Sequence, residues 1–203
     1  MNIQILYNQE YIPFDLYIYS IKHILRNENV SIIRNILQLD SSADYLILFI
    51  NHYVQIYNTS IPDKTKIIFI TADYLLNFTE INQHKIKTFI NKYSEKTYLW
   101  EYSPLNISYY KNNEIACNVN FIPLLYSDFL EKIYKKYTTP IPYDEKPIDV
   151  LYIINGMQER RVKIMNGLKN KCKLCILSGV DNIEQYCLAI ERSKMVVNVY
   201  SKE

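Results

Sequence analysis

The sequence predicts an α/β protein built on parallel sheets of Rossmann type, and three observations predict it. Short apolar runs of strand length, among them Tyr45-Leu46-Ile47-Leu48-Phe49 and Ile67-Ile68-Phe69-Ile70, carry too few polar residues for a sheet that is wet on one face. Stretches of helical period separate these runs, so strands and helices alternate along the chain. The alternation occurs twice, before and after a proline-bearing stretch, Thr139 to Pro147.

In order, Ile3 to Tyr7 reads as a strand and Phe14 to Arg26 as a helix offering Leu16, Ile18, Ile21, Ile24 and Leu25 to a core. Val30 to Ile33 reads as a short strand, followed by a helical stretch around Ile36 to Leu39. Asp44 to Ile50 and Lys66 to Thr71 are buried strands, and a helix is expected over Asn82 to Lys92. Thr97 to Glu101 is a strand, Leu105 to Lys111 a helix, Cys117 to Phe121 a short strand and Asp128 to Lys136 a helix. Pro140, Pro142 and Pro147 then exclude helix and central strand and favour an extended connector. Beyond it come a strand from Ile148, a turn at Asn155-Gly156, a helix from Glu159 to Leu168 and a strand from Leu174 to Leu177 closing on Ser178-Gly179. A helix from Ile183 to Ser193 and a strand from Met195 to Tyr200 complete a β-α-β-α-β order. The expected division is a domain over 1–122, a linker over 123–147 and a second domain over 148–203.

Composition narrows the function. A net charge of +2, from 23 basic and 21 acidic residues, gives no field that favours nucleic acid or an anionic membrane. No apolar run approaches the ~20 residues of a bilayer span, and Met1-Asn2-Ile3-Gln4-Ile5 lacks a signal-peptide pattern, so a soluble cytoplasmic protein is expected. The four cysteines form no complete zinc pattern; Cys172 and Cys175 are spaced C-x-x-C but open a strand, where no helix N-terminus would stabilise a thiolate. No metal site is expected. Asn29, Asn58, Asn77 and Asn106 begin N-x-S/T triplets, which chance supplies in so Asn-rich a chain. Twenty tyrosines beside three glycines look like AT-rich coding, a flavour that suits a large DNA virus and, with it, a host cytoplasm.

Ligands of doubly wound sheets sit beyond the carboxyl ends of the strands. Asn155-Gly156 marks such an edge, because a glycine lets the backbone turn sharply and the next helix N-terminus offers N–H groups to a diphosphate. Arg160 and Arg161 follow within a turn and a half, where a guanidinium can pair with phosphate oxygens. A simple strand-to-helix turn with solvated arginines explains the same residues, since G-x-G-x-x-G and Walker patterns are absent. Ser178-Gly179 marks the same edge more weakly. In the first half, the residues at strand ends are His52, Thr71, Asp73, Glu101 and Tyr102. Of these, His52 and Asp73 are the candidates for a general base, with a polar loop residue as the plain alternative for each.

Residues Asp149-Val150-Leu151-Tyr152, Asn155-Gly156, Glu159-Arg160-Arg161-Val162-Lys163-Ile164-Met165 and Glu191-Arg192-Ser193-Lys194-Met195-Val196-Val197-Asn198-Val199 resemble the opening of the donor-nucleotide domain of GT-B glycosyltransferases. The resemblance covers about the last quarter of the chain. It implies a GT-B-like layout in which an acceptor-side domain is followed by an incomplete donor domain. It also implies transfer of a sugar from a nucleotide-sugar donor to an acceptor hydroxyl, with no metal or other cofactor. In that family the donor domain continues with further βα units and an acidic residue for the donor sugar, whereas this chain stops at Ser201-Lys202-Glu203; a truncated or shortened homologue is therefore expected. The alternative from another class is a non-catalytic α/β binding or interaction module.

Overall fold

Six strands whose side chains are mostly Ile, Leu, Val and Phe pair in parallel to form the larger of two sheets. They are β1 (Asn2–Leu6), β2 (Asn29–Ile33), β3 (Tyr45–Phe49), β4 (Lys66–Thr71), β5 (Thr97–Glu101) and β6 (Asn118–Phe121), in the spatial order β2-β1-β3-β4-β5-β6. The structure, a computed structural model, describes residues 1–7, 12–49, 59–71, 79–115, 118–122, 128–154, 159–178 and 182–198. The chain divides into two compact units, one of Met1–Gln9 with Ile21–Tyr126 and the other of Glu10–Ser20 with Ser127–Glu203. The division falls inside the first helix, α1 (Ile12–Ile24).

In the first unit, Leu46, Ile47, Leu48 and Phe49 of β3 are all fully buried, so both faces of the central strands are shielded from water, as the continuous apolar run requires. Helix α2 (Glu80–Lys92) starts at Thr79, whose side chain accepts from the Asn82 N–H. It buries Ile86, Phe89 and Ile90 at one-turn spacing in a cluster with Leu6, Leu48, Phe69 and Leu99. Helix α3 (Pro104–Asn112) has proline in its first turn and ends in a Schellman motif. There Glu114 adopts φ 52, and the N–H groups of Ile115 and Glu114 return to the carbonyls of Tyr110 and Lys111. The helical stretch expected at Ile36 to Leu39 is a three-residue 3-10 turn, Ile36–Gln38. It is held by a reciprocal cap in which Asn35 accepts from Leu37 N–H and Gln38 accepts from Asn35 N–H.

The second unit contains α4 (Asp128–Tyr137), β7 (Ile148–Ile154), α5 (Glu159–Lys169), β8 (Leu174–Ser178), α6 (Ile183–Glu191) and β9 (Ser193–Asn198). The three strands are parallel in the order β8-β7-β9, so the first strand is central. Tyr152, Ile154 and Met165 form its core, with Val162, Ile164, Leu174 and Val197 packed around them. Helix α6 stops two residues before the sequence-based boundary, at Glu191. That carboxylate accepts from the Tyr134 hydroxyl and from the Ile141 N–H at 2.8 Å, with Lys146 Nζ at 3.7 Å, so it gathers α4 and the connector at the end of α6. Both sheets are parallel α/β, Rossmann-like in general character. Among the described residues, no helix is long and apolar enough to cross a membrane.

Candidate functional site

The parallel order directs attention to the carboxyl ends of the strands. In the second unit that edge begins where β7 ends, at Ile154, and α5 opens at Glu159. The first turn of α5 is tied to the sheet from below: Tyr152, fully buried, donates its hydroxyl to the Arg161 carbonyl at 3.3 Å. Arg160 is exposed and Arg161 half-buried, both in that first turn and a half, and Ser178 is exposed at the last position of β8. Tyr152 pairs with Ile176 on one side and Val197 on the other, so the strand that leads to this edge is flanked by two neighbours. Asn155, Gly156 and Gly179 lie outside the described residues. At the opposite edge of the sheet, Asp149 accepts from the Lys173 N–H at 2.9 Å and from Lys194 Nζ at 3.0 Å; these contacts hold its carboxyl below the usual range.

In the first unit, His52 and Asp73 also lie outside the described residues, beyond the ends of β3 and β4 in sequence. Two other strand-end residues form a buried polar cluster. Thr71 and Glu101 are register neighbours, the last residues of β4 and β5, and both are fully buried. Glu101 Oε1 accepts from the Ser103 N–H at 2.9 Å, and Oε2 accepts from Asn106 Nδ2 at 3.1 Å. The Thr71 hydroxyl and the Tyr102 N–H also donate to the carboxylate, and Thr71 Oγ1 lies 2.8 Å from the Tyr110 hydroxyl. Burial pushes the Glu101 carboxyl up from its ordinary value, against the opposing pull of these donors. The sequence reading named Glu101 but preferred His52 and Asp73 as bases. The signal that marks Glu101 is the two-residue period Thr97, Leu99, Glu101, which places it on the buried side of β5.

A surface pocket of about 690 Å³ lies at the other end of the same sheet, lined by Asp63 and residues 91–96. These residues precede β4 and β5, so the pocket is on the amino side of the sheet. Lys96 Nζ there donates to the carbonyls of Ile61 and Pro62, at 3.2 and 2.8 Å. Lys92 and Lys96 both stand over the Tyr93 ring, with Nζ 5.0 and 5.1 Å from its centroid. The contacts fix the local chain and give the pocket no convergent recognition chemistry. Volume alone therefore does not make it the functional site.

Among the described residues, no group of three or more His, Cys, Asp and Glu side chains is arranged to hold a metal ion. Cys172 and Cys175 are half-buried free thiols and Cys187 a buried one. Comparison with protein-family models, curated proteins and solved structures finds no match for this chain.

Proposed function

We propose that this chain is a glycosyltransferase, or part of one, that moves a sugar from a nucleotide diphosphate donor to an acceptor hydroxyl. The observation that carries the reading is the parallel order β8-β7-β9 with β7 central. In an open α/β sheet, a central first strand followed by a glycine turn and a helix is the arrangement that receives a diphosphate on the helix N-terminus. Asn155-Gly156 follows β7 in sequence, and Arg160 lies in the first turn of the helix that comes next. On this reading, backbone N–H groups after Gly156 and the Arg160 guanidinium bind phosphate, with Arg161, Ser178 and Gly179 completing that edge. His52 and Asp73 are the candidate bases on the acceptor side, one of which would take the proton from the attacking hydroxyl. The chemistry needs no metal, because a guanidinium and helix N–H groups can neutralise the leaving diphosphate.

The test compares two cations on one helix by titrating uridine diphosphate into the full chain at two salt concentrations. Arg160→Ala is expected to weaken binding by about 1.5 to 3 kcal/mol, the range for hydrogen bonds to charged groups, and Lys163→Ala, one turn further along, much less. Equal weakening that disappears in salt would mean general attraction rather than a positioned contact. Absence of binding by wild type and both variants would overturn the donor-site reading in favour of an α/β interaction module.

A further inference from the structure

Among the described residues, a carboxylate buried at the carboxyl edge of the first sheet, that of Glu101, meets only neutral partners. From β4 it meets Thr71, from α3 Asn106, and from the β5–α3 connection the N–H groups of Tyr102 and Ser103. Among the described residues no lysine, arginine or histidine pairs with it. Thr71, Glu101, Ser103, Asn106 and Tyr110 are each at most 3% exposed. A buried carboxylate whose described partners are all neutral is costly for a fold, so its presence calls for a reason other than stability.

We infer that Glu101 is a positioning residue: its ionised carboxylate, gathered by four donors, holds the ends of β4 and β5 and the first turn of α3 in register at the ligand edge of the first sheet. The hydroxyls complete the arrangement. Because Thr71 donates to Glu101, its oxygen is left to accept from Tyr110, giving a directed chain from Tyr110 through Thr71 to Glu101. A proton taken up by Glu101 reverses that chain. The carboxylic O–H then donates to Thr71, Thr71 donates to the Tyr110 oxygen, and the Tyr110 hydrogen turns away, with no atom gained or lost beyond the one proton. The direction of the hydrogen bonds that join β4, β5 and α3 thus responds to protonation at a single buried site. The inference rests on the glycosyltransferase reading only in naming this edge the acceptor side; the hub itself stands on the contacts given.

The experiment uses the full chain and no nucleotide, so its outcome is separate from that of the diphosphate titration. Thermal unfolding, followed through Trp100, is measured against pH for wild type, Glu101→Gln and the exposed control Glu95→Gln, together with hydrogen exchange of the amides of residues 102, 103 and 105–107. The Glu101 carboxyl is raised above its unfolded value of 4.5, so its protonated form favours the fold. The stability it contributes is therefore present below that value and lost as pH rises through the folded pKa. Wild type is expected to lose midpoint relative to Glu101→Gln across that window, while Glu95→Gln follows wild type. Above the window, Glu101→Gln is expected to unfold no earlier than wild type. Even so, its amides at 102, 103 and 105–107 exchange about tenfold faster, as for loss of one hydrogen bond to a charged acceptor. Parallel pH profiles for wild type and Glu101→Gln, or unchanged exchange at these amides, would overturn the inference. Should Glu101→Gln fail to fold, carbon-13 titration of the Glu101 carboxyl in wild type decides: shifts of the Tyr110 ring that follow the Glu101 titration support the hub, and a Glu101 titration that leaves the Tyr110 ring unshifted refutes it.

Discussion

Replacing Phe89 by alanine tests how α2 is seated on the first sheet. Phe89 is 1% exposed, its ring 6.2 Å from Phe69 and 5.1 Å, edge-on, from Tyr93, between the turns that bury Ile86 and Ile90. Removing a buried phenyl ring costs about 3 to 5 kcal/mol where the site cannot collapse, and the two aromatic contacts lie within that loss. Against a typical stability of ~5 to 15 kcal/mol, the change is large. The chain's single tryptophan, Trp100, lies in β5 beside the affected core and reports unfolding of the first unit by fluorescence. Urea titration at constant slope should show the unfolding free energy falling by that amount for Phe89→Ala. Ile81→Ala, on the same helix but 68% exposed, should change the unfolding free energy by less than about 0.5 kcal/mol. Comparable shifts for the two variants would refute the assigned buried face of α2.

Glu191→Gln removes the charge that gathers Tyr134, Ile141 and Lys146. The hydrogen bond from Tyr134 holds the Glu191 carboxyl below its ordinary 4.5, so the wild-type advantage should be full above that value and vanish as pH falls through the folded pKa, as read by thermal unfolding at successive pH values. Tyr152→Phe keeps the ring in the core and deletes its bond to the Arg161 carbonyl, so a loss of about 0.5 to 1.5 kcal/mol is expected in denaturant titration. Glu114→Gly should stabilise by up to about 1 kcal/mol, measured the same way, because a non-glycine residue at φ 52 carries a left-handed penalty.

Elements governed by local pattern were legible in the sequence. The runs at β3, β4 and β7 are apolar because both sheet faces are covered, and the Ile86, Phe89, Ile90 spacing announces α2 without any tertiary information. Boundaries shifted where a distant strand set them: α6 ends at Glu191 because β9 already begins at Ser193, in register with Ile148 of β7, forty-five residues away in sequence. Strand order was less accessible, since β1 must pair with both β2 and β3, and no local signal states which neighbour lies on which side. Glu101 illustrates a conflict of rules. Charged residues are rarely buried, whereas the alternation of buried positions through Thr97 and Leu99 puts Glu101 inside; its donors come from β4 and α3 as well as from the chain after β5, which the sequence of β5 does not reveal.

The central functional claim is that a nucleotide diphosphate binds beyond the carboxyl end of β7, and it is tested most directly by locating where that ligand touches the protein. Amide NMR spectra of the full chain are recorded during titration with uridine diphosphate. The account predicts shift changes concentrated at the first turn of α5, Glu159 to Val162, and at the ends of β7 and β8 near Ile154 and Ser178. Absence of saturable shifts there, or changes centred on Asn91 to Lys96 at the amino side of the first sheet, would contradict it.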